Sequence, residues 1–142
     1  MSEQNYFNHK RYDPLYHFIL IPVSMVGLIL SIINLINAAP IQHYNAALLT
    51  LVFIILFLVV ALARLYSLKV QNRIIRAEEN FRHFVLTGKA LDPTLRMGQI
   101  IALRFASDEE FPTLASRAVN EKLQPAEIKK SIKNWRADYY RV

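Results

Sequence analysis

From Leu15 to Ile36 the chain runs 22 residues without an Asp, Glu, Lys or Arg, and from Ala46 to Ala63 it runs 18 residues whose single polar side chain is Thr50. At about 1.5 Å per residue the first stretch reaches about 33 Å as a helix, against a hydrocarbon thickness of about 30 Å. The second lies at the lower edge of spanning length but is the purer in composition. This pattern predicts two transmembrane helices. Pro40, in the connecting "NAAPIQHYN", cannot continue a helix, so the chain is expected to fold back as a hairpin. A cleavable signal peptide is the competing reading of the first stretch. Its apolar region exceeds the about 7 to 15 residues such peptides use, and Pro40 follows the only small-residue pair.

Within the first span His17, Ser24, Gly27, Ser31 and Asn34 share a sector of about 100° on a helical wheel. Small side chains let backbones approach in lipid, and hydroxyls or amides find partners there, so Ser24, Gly27, Ser31 and Asn34 are the expected helix–helix interface. The partner is either the chain's own second span or another copy or subunit. An ion or substrate path would want ionisable groups at mid-depth, and the sequence has none there.

Past Ser67 the period becomes amphipathic. Val70, Ile74, Ala77, Phe81 and Phe84 recur at steps of four and three as an apolar seam beside a basic row, Lys69, Arg73, Arg76 and His83. The second span should therefore continue as one helix to Thr87 and stop at "LTGK", where Gly88 suits a left-handed turn. The seam is expected to pack on the domain that follows, with coiled-coil pairing as the alternative. After the turn "LDP" three short helices are predicted. The first covers Thr94 to Phe105, weakened by Gly98. The second opens with Ser107 and Glu110 as a capping box and buries Phe111, Leu114, Ala115, Ala118 and Val119. The third starts at "QPAEI" and buries Ile128, Ile132, Trp135 and Tyr139. Residues 89–142 alone are few for an independent core, so the long helix should supply a wall.

The expected fold is all-α: a two-helix transmembrane hairpin whose second span continues as a long cytoplasmic helix, plus a small three-helix cytoplasmic domain. Its segments are a cytoplasmic N-terminal stretch (1–14), transmembrane helix 1 (15–36), an outer turn (37–45), transmembrane helix 2 (46–65), a cytoplasmic amphipathic helix (66–88) and a small helical cytoplasmic domain (89–142).

Composition supports a membrane assignment and supplies a direction. Hydrophobic residues make up 54% of 142, high for a soluble domain. Of the 17 Lys and Arg only two precede Arg64, and the net charge of +6 resides in the part that follows the spans. His9, Lys10 and Arg11 flank the first span, Arg64, Lys69, Arg73 and Arg76 follow the second, and the connecting segment carries no Lys or Arg. The multi-pass chain should thus have both termini in the cytoplasm. Tyr12, Tyr16, His43, Tyr44 and Tyr66 sit where amphipathic rings prefer the headgroup layer.

Candidate chemistry is sparse. No cysteine is present, which excludes a disulfide framework, a thiolate zinc site and a cysteine nucleophile. Three glycines, none in a phosphate-cradling arrangement, leave no glycine-rich loop. Glu79 and His83 are four apart, whereas the di-iron signature uses three, so an exposed Glu–His pair is expected and no metal. His17 and His43 fall at opposite faces of the bilayer and cannot share a haem. No catalytic or cofactor-binding residue is assigned. Lys129, Lys133 and Arg136, with Trp135 beside them, are expected on one side of the last helix as a surface for lipid or partner docking, since inner-leaflet charge attracts juxtamembrane cations. Helix, turn and basic helix is also the outline of a DNA-reading unit, the competing use of the same cations.

"EENFRHFVLTGK", "IIALRFASDEEF" and "IKNWRADYYRV" resemble segments of an uncharacterised family, a domain of unknown function, of small bacterial two-span membrane proteins. The resemblance runs from the "NHKRY" start to the C-terminus and implies no activity and no site residues. The first functional reading is a non-enzymatic structural or accessory membrane protein, in a homo-oligomer or larger membrane complex, whose cytoplasmic domain docks a partner or anionic lipid. The alternatives are a membrane-tethered nucleic-acid-binding module and a small subunit of a transporter or respiratory assembly. Transport would require assembly, because two spans enclose no path.

Overall fold

The computed structural model describes residues 13–138; His9, Lys10, Arg11, Tyr12, Tyr139 and Tyr140 lie outside the described residues. Among the described residues the fold is all-helical. A π-helical turn, Tyr16–Leu20, leads into α1 (Ile21–Asn37), and a 3-10 turn, Pro40–Gln42, leads into α2 (His43–Thr87). Three short helices follow: α3 (Met97–Leu103), α4 (Phe111–Asn120) and α5 (Pro125–Ser131). Contacts group residues 13–68 and 69–138 into two units, and α2 contributes to both.

In the first unit the Asp13 carboxylate accepts the Tyr16 N–H at 3.2 Å, as a capping side chain does. Pro22 has no N–H for the carbonyl four residues back, and its ring crowds that turn. The backbone widens there: Ile21 N–H reaches back five residues to the Tyr16 carbonyl. At the same end the Arg64 guanidinium lies 5.4 Å from the Tyr16 ring centre.

The two apolar helices meet along a narrow line. Ser24 and Ser31 of α1 and Ala46 and Thr50 of α2 are buried, and a Cβ added at Gly27 would overlap the Phe53 ring. The serine hydroxyls stay on their own helix: Ser24 Oγ donates to the Ile21 carbonyl at 2.9 Å and Ser31 Oγ to the Leu28 carbonyl at 2.8 Å. A bond that crosses comes from Thr50, whose hydroxyl proton is shared between Ser31 O (3.0 Å) and Ala46 O (2.9 Å). Asn34, expected at this interface, is exposed instead. The less exposed positions of α1 are Ile21, Ser24, Leu28, Ser31 and Leu35, the three-four spacing of a packed seam, with Gly27 next to it; Asn34 sits beside that line.

The second unit has its own core, with Phe105, Phe111, Leu103 and Ile128 fully buried. Helix α2 contributes Ile75 to it. This corrects the expected seam. Val70, Ile74, Phe81 and Phe84 are exposed, Phe81 by 68%, and the side of α2 that packs carries Ile75 and the buried Glu79. At 100° per residue the seam lies on the opposite side of the helix from Ile75. Helix α2 stops where expected: Gly88 has φ +72°, and His83 Nδ1, 2.8 Å from Lys89 O, ties the turn back to the last helical residues.

Each short helix is shorter than its pattern, for a local reason. Before α3, the Asp92 carboxylate accepts the Thr94 N–H at 2.8 Å, and Arg96 is extended with its N–H donating to Gln99 Oε1 at 2.8 Å. Helical geometry is thereby delayed to Met97. Gly98 serves packing rather than weakness, since a Cβ there would come 3.1 Å from the Pro125 ring of α5. Helix α4 begins at Phe111, and the expected box is half made: Ser107 Oγ accepts the Glu110 N–H at 3.4 Å, but the Glu110 side chain does not return the bond. Its carboxylate accepts the N–H groups of Lys133 and Asn134, both at 3.1 Å, while Ser107 N–H donates to Asn134 O at 3.1 Å. The end of α4 turns through Lys122, at φ 52°. Helix α5 starts at Pro125 with Glu127 accepting the Gln124 N–H at 2.6 Å, and it ends at Ser131 rather than running on through Trp135.

Gly27→Leu should lower the unfolding midpoint of the full-length protein in detergent, by an overpacking cost of about 1 to 3 kcal/mol. Leu30→Ala, at an exposed position of α1, should leave the midpoint near wild type. Combining Gly27→Ala with Phe53→Leu should recover most of what Gly27→Ala alone loses, as read by thermal aggregation.

Candidate functional site

Arg82 projects from α2 into the second unit, where its side chain is 11% exposed and its donors are nearly all used. Nη1 contacts Glu79 Oε2 at 3.0 Å, Nε donates to Asp108 Oδ1 at 2.7 Å, and Nη2 donates to the Ala106 carbonyl at 2.7 Å. The guanidinium plane also covers the Phe111 ring at 4.4 Å. An arginine fork suits this cluster because its donors diverge in one plane, which an ammonium cannot imitate. Burial raises the Glu79 carboxyl above its usual range, and the hydrogen bond and charge of Arg82, with smaller contributions from Arg136 and Arg104, offset only part of that. The expected exposed Glu79–His83 pair is therefore absent. Glu79 is buried on Arg82, and His83 packs edge-on against Phe111 with ring centres 5.8 Å apart.

The predicted docking residues separate. Trp135 is half-buried and lies on Phe105, ring centres 5.1 Å apart. Lys129, the one member of the set on α5, brings its Nζ 5.8 Å from the same ring centre. Arg136 contacts Asp108 at 3.8 Å, and its N–H donates to Phe105 O at 2.8 Å, beside the antiparallel bridge of Ala106 and Trp135. Lys133 is exposed. The row expected on one helix face does not form, because the chain leaves helical geometry at Ile132 (ψ 124°) to pair with residues 105–107. Periodicity could not reveal this, since "IKKSIKNW" fits a helix equally well. Arg82 and Thr50 were also not singled out for these roles. For Thr50 the available signal was its place as the sole polar side chain in the second apolar run; for Arg82 it was the carboxylate three residues earlier on the same helix, Glu79.

A cleft of about 360 Å³ opens on the second unit between α2 and the 91–95 segment, lined by Arg73, Arg76, Asn80, Asp92 and Leu95 among others. No group of three or more His, Asp or Glu able to hold a metal occurs among the described residues. Residues 1–142 match the family DUF6526, a family of unknown function, and the chain belongs to it. No curated protein and no solved structure was found to match.

Arg82→Ala should cost about 3 to 5 kcal/mol, because it leaves the buried Glu79 without its counter-charge, and should expose the second unit to limited proteolysis. Arg117→Ala, which removes an exposed pair with Glu121, should not change the proteolysis rate.

Since folding raises the Glu79 pKa, the folded state holds that proton more tightly than the unfolded chain. Its contribution to stability is therefore present at low pH and is lost as pH climbs from the usual glutamate range through the raised value. Glu79→Gln lacks this loss. The difference in melting midpoint, variant minus wild type, should become more positive as pH rises above the usual glutamate range.

Proposed function

We propose that this member of DUF6526 is a non-enzymatic integral membrane accessory protein of the bacterial cytoplasmic membrane. In this reading α1 and the first part of α2 form a hairpin across the bilayer, both termini are cytoplasmic, and the second unit is presented to a partner. The observation that carries the reading is the surface of the two apolar helices. Each is long and apolar enough to span, and of an 18-residue apolar stretch in each only 11% is buried within the protein. Phe18, Val23, Leu30, Val52 and Leu58 are among the large side chains left exposed around them. Apolar surface of that extent is rare on monomers in water and ordinary in lipid.

The exposed seam Val70, Ile74, Phe81 and Phe84 supports a docking role for the second unit. The absence of cysteine and of any glycine-rich loop supports a role without chemistry. The nucleic-acid reading gains nothing from the geometry, since α5 carries Lys129 and Lys130 but neither Lys133 nor Arg136.

The test is topological. A reporter inserted at residue 42 should be periplasmic, and a reporter fused after residue 142 cytoplasmic. A cytoplasmic signal from position 42 would remove the hairpin and with it this proposal.

A further inference from the structure

The cleft on the second unit has unspent hydrogen-bonding capacity. Arg73 makes no ion pair or hydrogen bond with any described residue. Arg76 commits Nη2 to the Leu95 carbonyl at 3.3 Å and keeps the remainder of its fork. Asn80 has its side-chain oxygen occupied by the Leu91 N–H at 2.8 Å, so its NH2 group remains to donate. Three and four residues apart on α2, these side chains line one wall. Two guanidinium groups with an amide donor make a phosphate-type anion site, since the arginine fork matches two phosphate oxygens at once.

The opposite wall adds a charge of the other sign. Asp92 lines the cleft, and its carboxylate is fixed by Thr94, accepting its N–H at 2.8 Å and its hydroxyl at 2.5 Å. Those hydrogen bonds, the hydroxyl's first, hold Asp92 below its ordinary range, so it is ionised at neutral pH. A bare phosphate here would meet two cations and one fixed anion. A phosphate that carries its own ammonium would answer both walls, with the buried Leu95 and Ile100 as an apolar floor. The volume, about 360 Å³, lies at the small end of ligand pockets, about 300 to 1,000 Å³. It suits something the size of a headgroup.

We propose that this cleft binds a phosphate ester of an amino alcohol, with the phosphate on Arg73, Arg76 and the Asn80 amide and the ammonium on Asp92. Two sources share that chemistry: an ethanolamine phospholipid and a soluble phosphoethanolamine compound. The lipid source rests on the membrane reading above, in which Arg73 follows the last residue of the uncharged run, Ala63, by ten positions. The recognition itself does not.

The experiment is calorimetric titration of the full-length protein in a phosphate-free maltoside detergent. The soluble probes are glycerophosphoethanolamine and glycerophosphoglycerol, which share the phosphodiester and differ in the amine; the lipid probes are their dihexanoyl counterparts. Wild type should prefer the ethanolamine member of each pair by about tenfold, the scale of one charge-assisted contact. Arg73→Gln should weaken both members by about tenfold or more. Asp92→Asn, which can still accept the Thr94 N–H, should erase the preference without weakening the glycerol member. Binding of the soluble pair as tightly as the lipids assigns recognition to the headgroup alone, and tighter lipid binding assigns the lipid source. Equal affinity of wild type for ethanolamine and glycerol forms, a preference that survives Asp92→Asn, or no binding at all overturns the proposal. Because the soluble probes bind or fail independently of any bilayer, their failure leaves the topological result untouched, and the converse holds.

Discussion

The guanidinium of Arg82 is the constraint around which the second unit is arranged. Taking a cation out of water is expensive, and the cost is offset only where every donor has a partner of good geometry. Here Glu79, Asp108 and the Ala106 carbonyl supply those partners, and Phe111 closes the remaining face. Meeting all four at once fixes which side of α2 packs. The segment that carries Ala106 and Asp108 must lie against that side, and Phe111 follows as the first residue of α4. The more hydrophobic side of the helix, Val70 through Phe84, is consequently left outside.

The same logic accounts for the fate of the C-terminal cations. Phe105 lies fully buried beneath Trp135, and the chain after α5 reaches it in extended form through backbone bonds to Phe105 and Ser107. Glu110 holds that segment by accepting two of its N–H groups. The carboxylate expected to close a helix start thus anchors a distant strand-like piece, and Lys129 and Arg136 lie locally on an aromatic ring and on Asp108. Electrostatics in this unit mainly serves packing. The cleft beside Arg73 and Arg76 is where it does not.

In the first unit a short polar contact and a close steric fit order two apolar helices. Serine hydroxyls at Ser24 and Ser31 bond their own turns, which makes those positions small and satisfied rather than adhesive. Approach is set by Gly27 against Phe53, and the crossing hydroxyl of Thr50 gives the contact a register. In an apolar surrounding a mismatch of that hydroxyl would leave it without a partner outside its own helix, so even a modest bond of about 0.6 kcal/mol selects between neighbouring registers.

What the sequence determined by itself was whatever depends on local chemistry: two uncharged helical stretches, the continuation of the second to Thr87, the stop at Gly88 and the start of α5 at Pro125. Each follows from a rise per residue or a backbone preference that needs no distant partner. Tertiary structure alone decided which side of α2 is inside, where α5 ends, and what Glu79, Glu110 and Arg82 hold. Hydrophobic periodicity ranks helix faces by their apolar content, but the face that packs is the one whose buried polar groups can all be satisfied. Those partners, at Ala106, Asp108, Lys133 and Asn134, lie more than 20 residues away along the chain, and no local pattern records them.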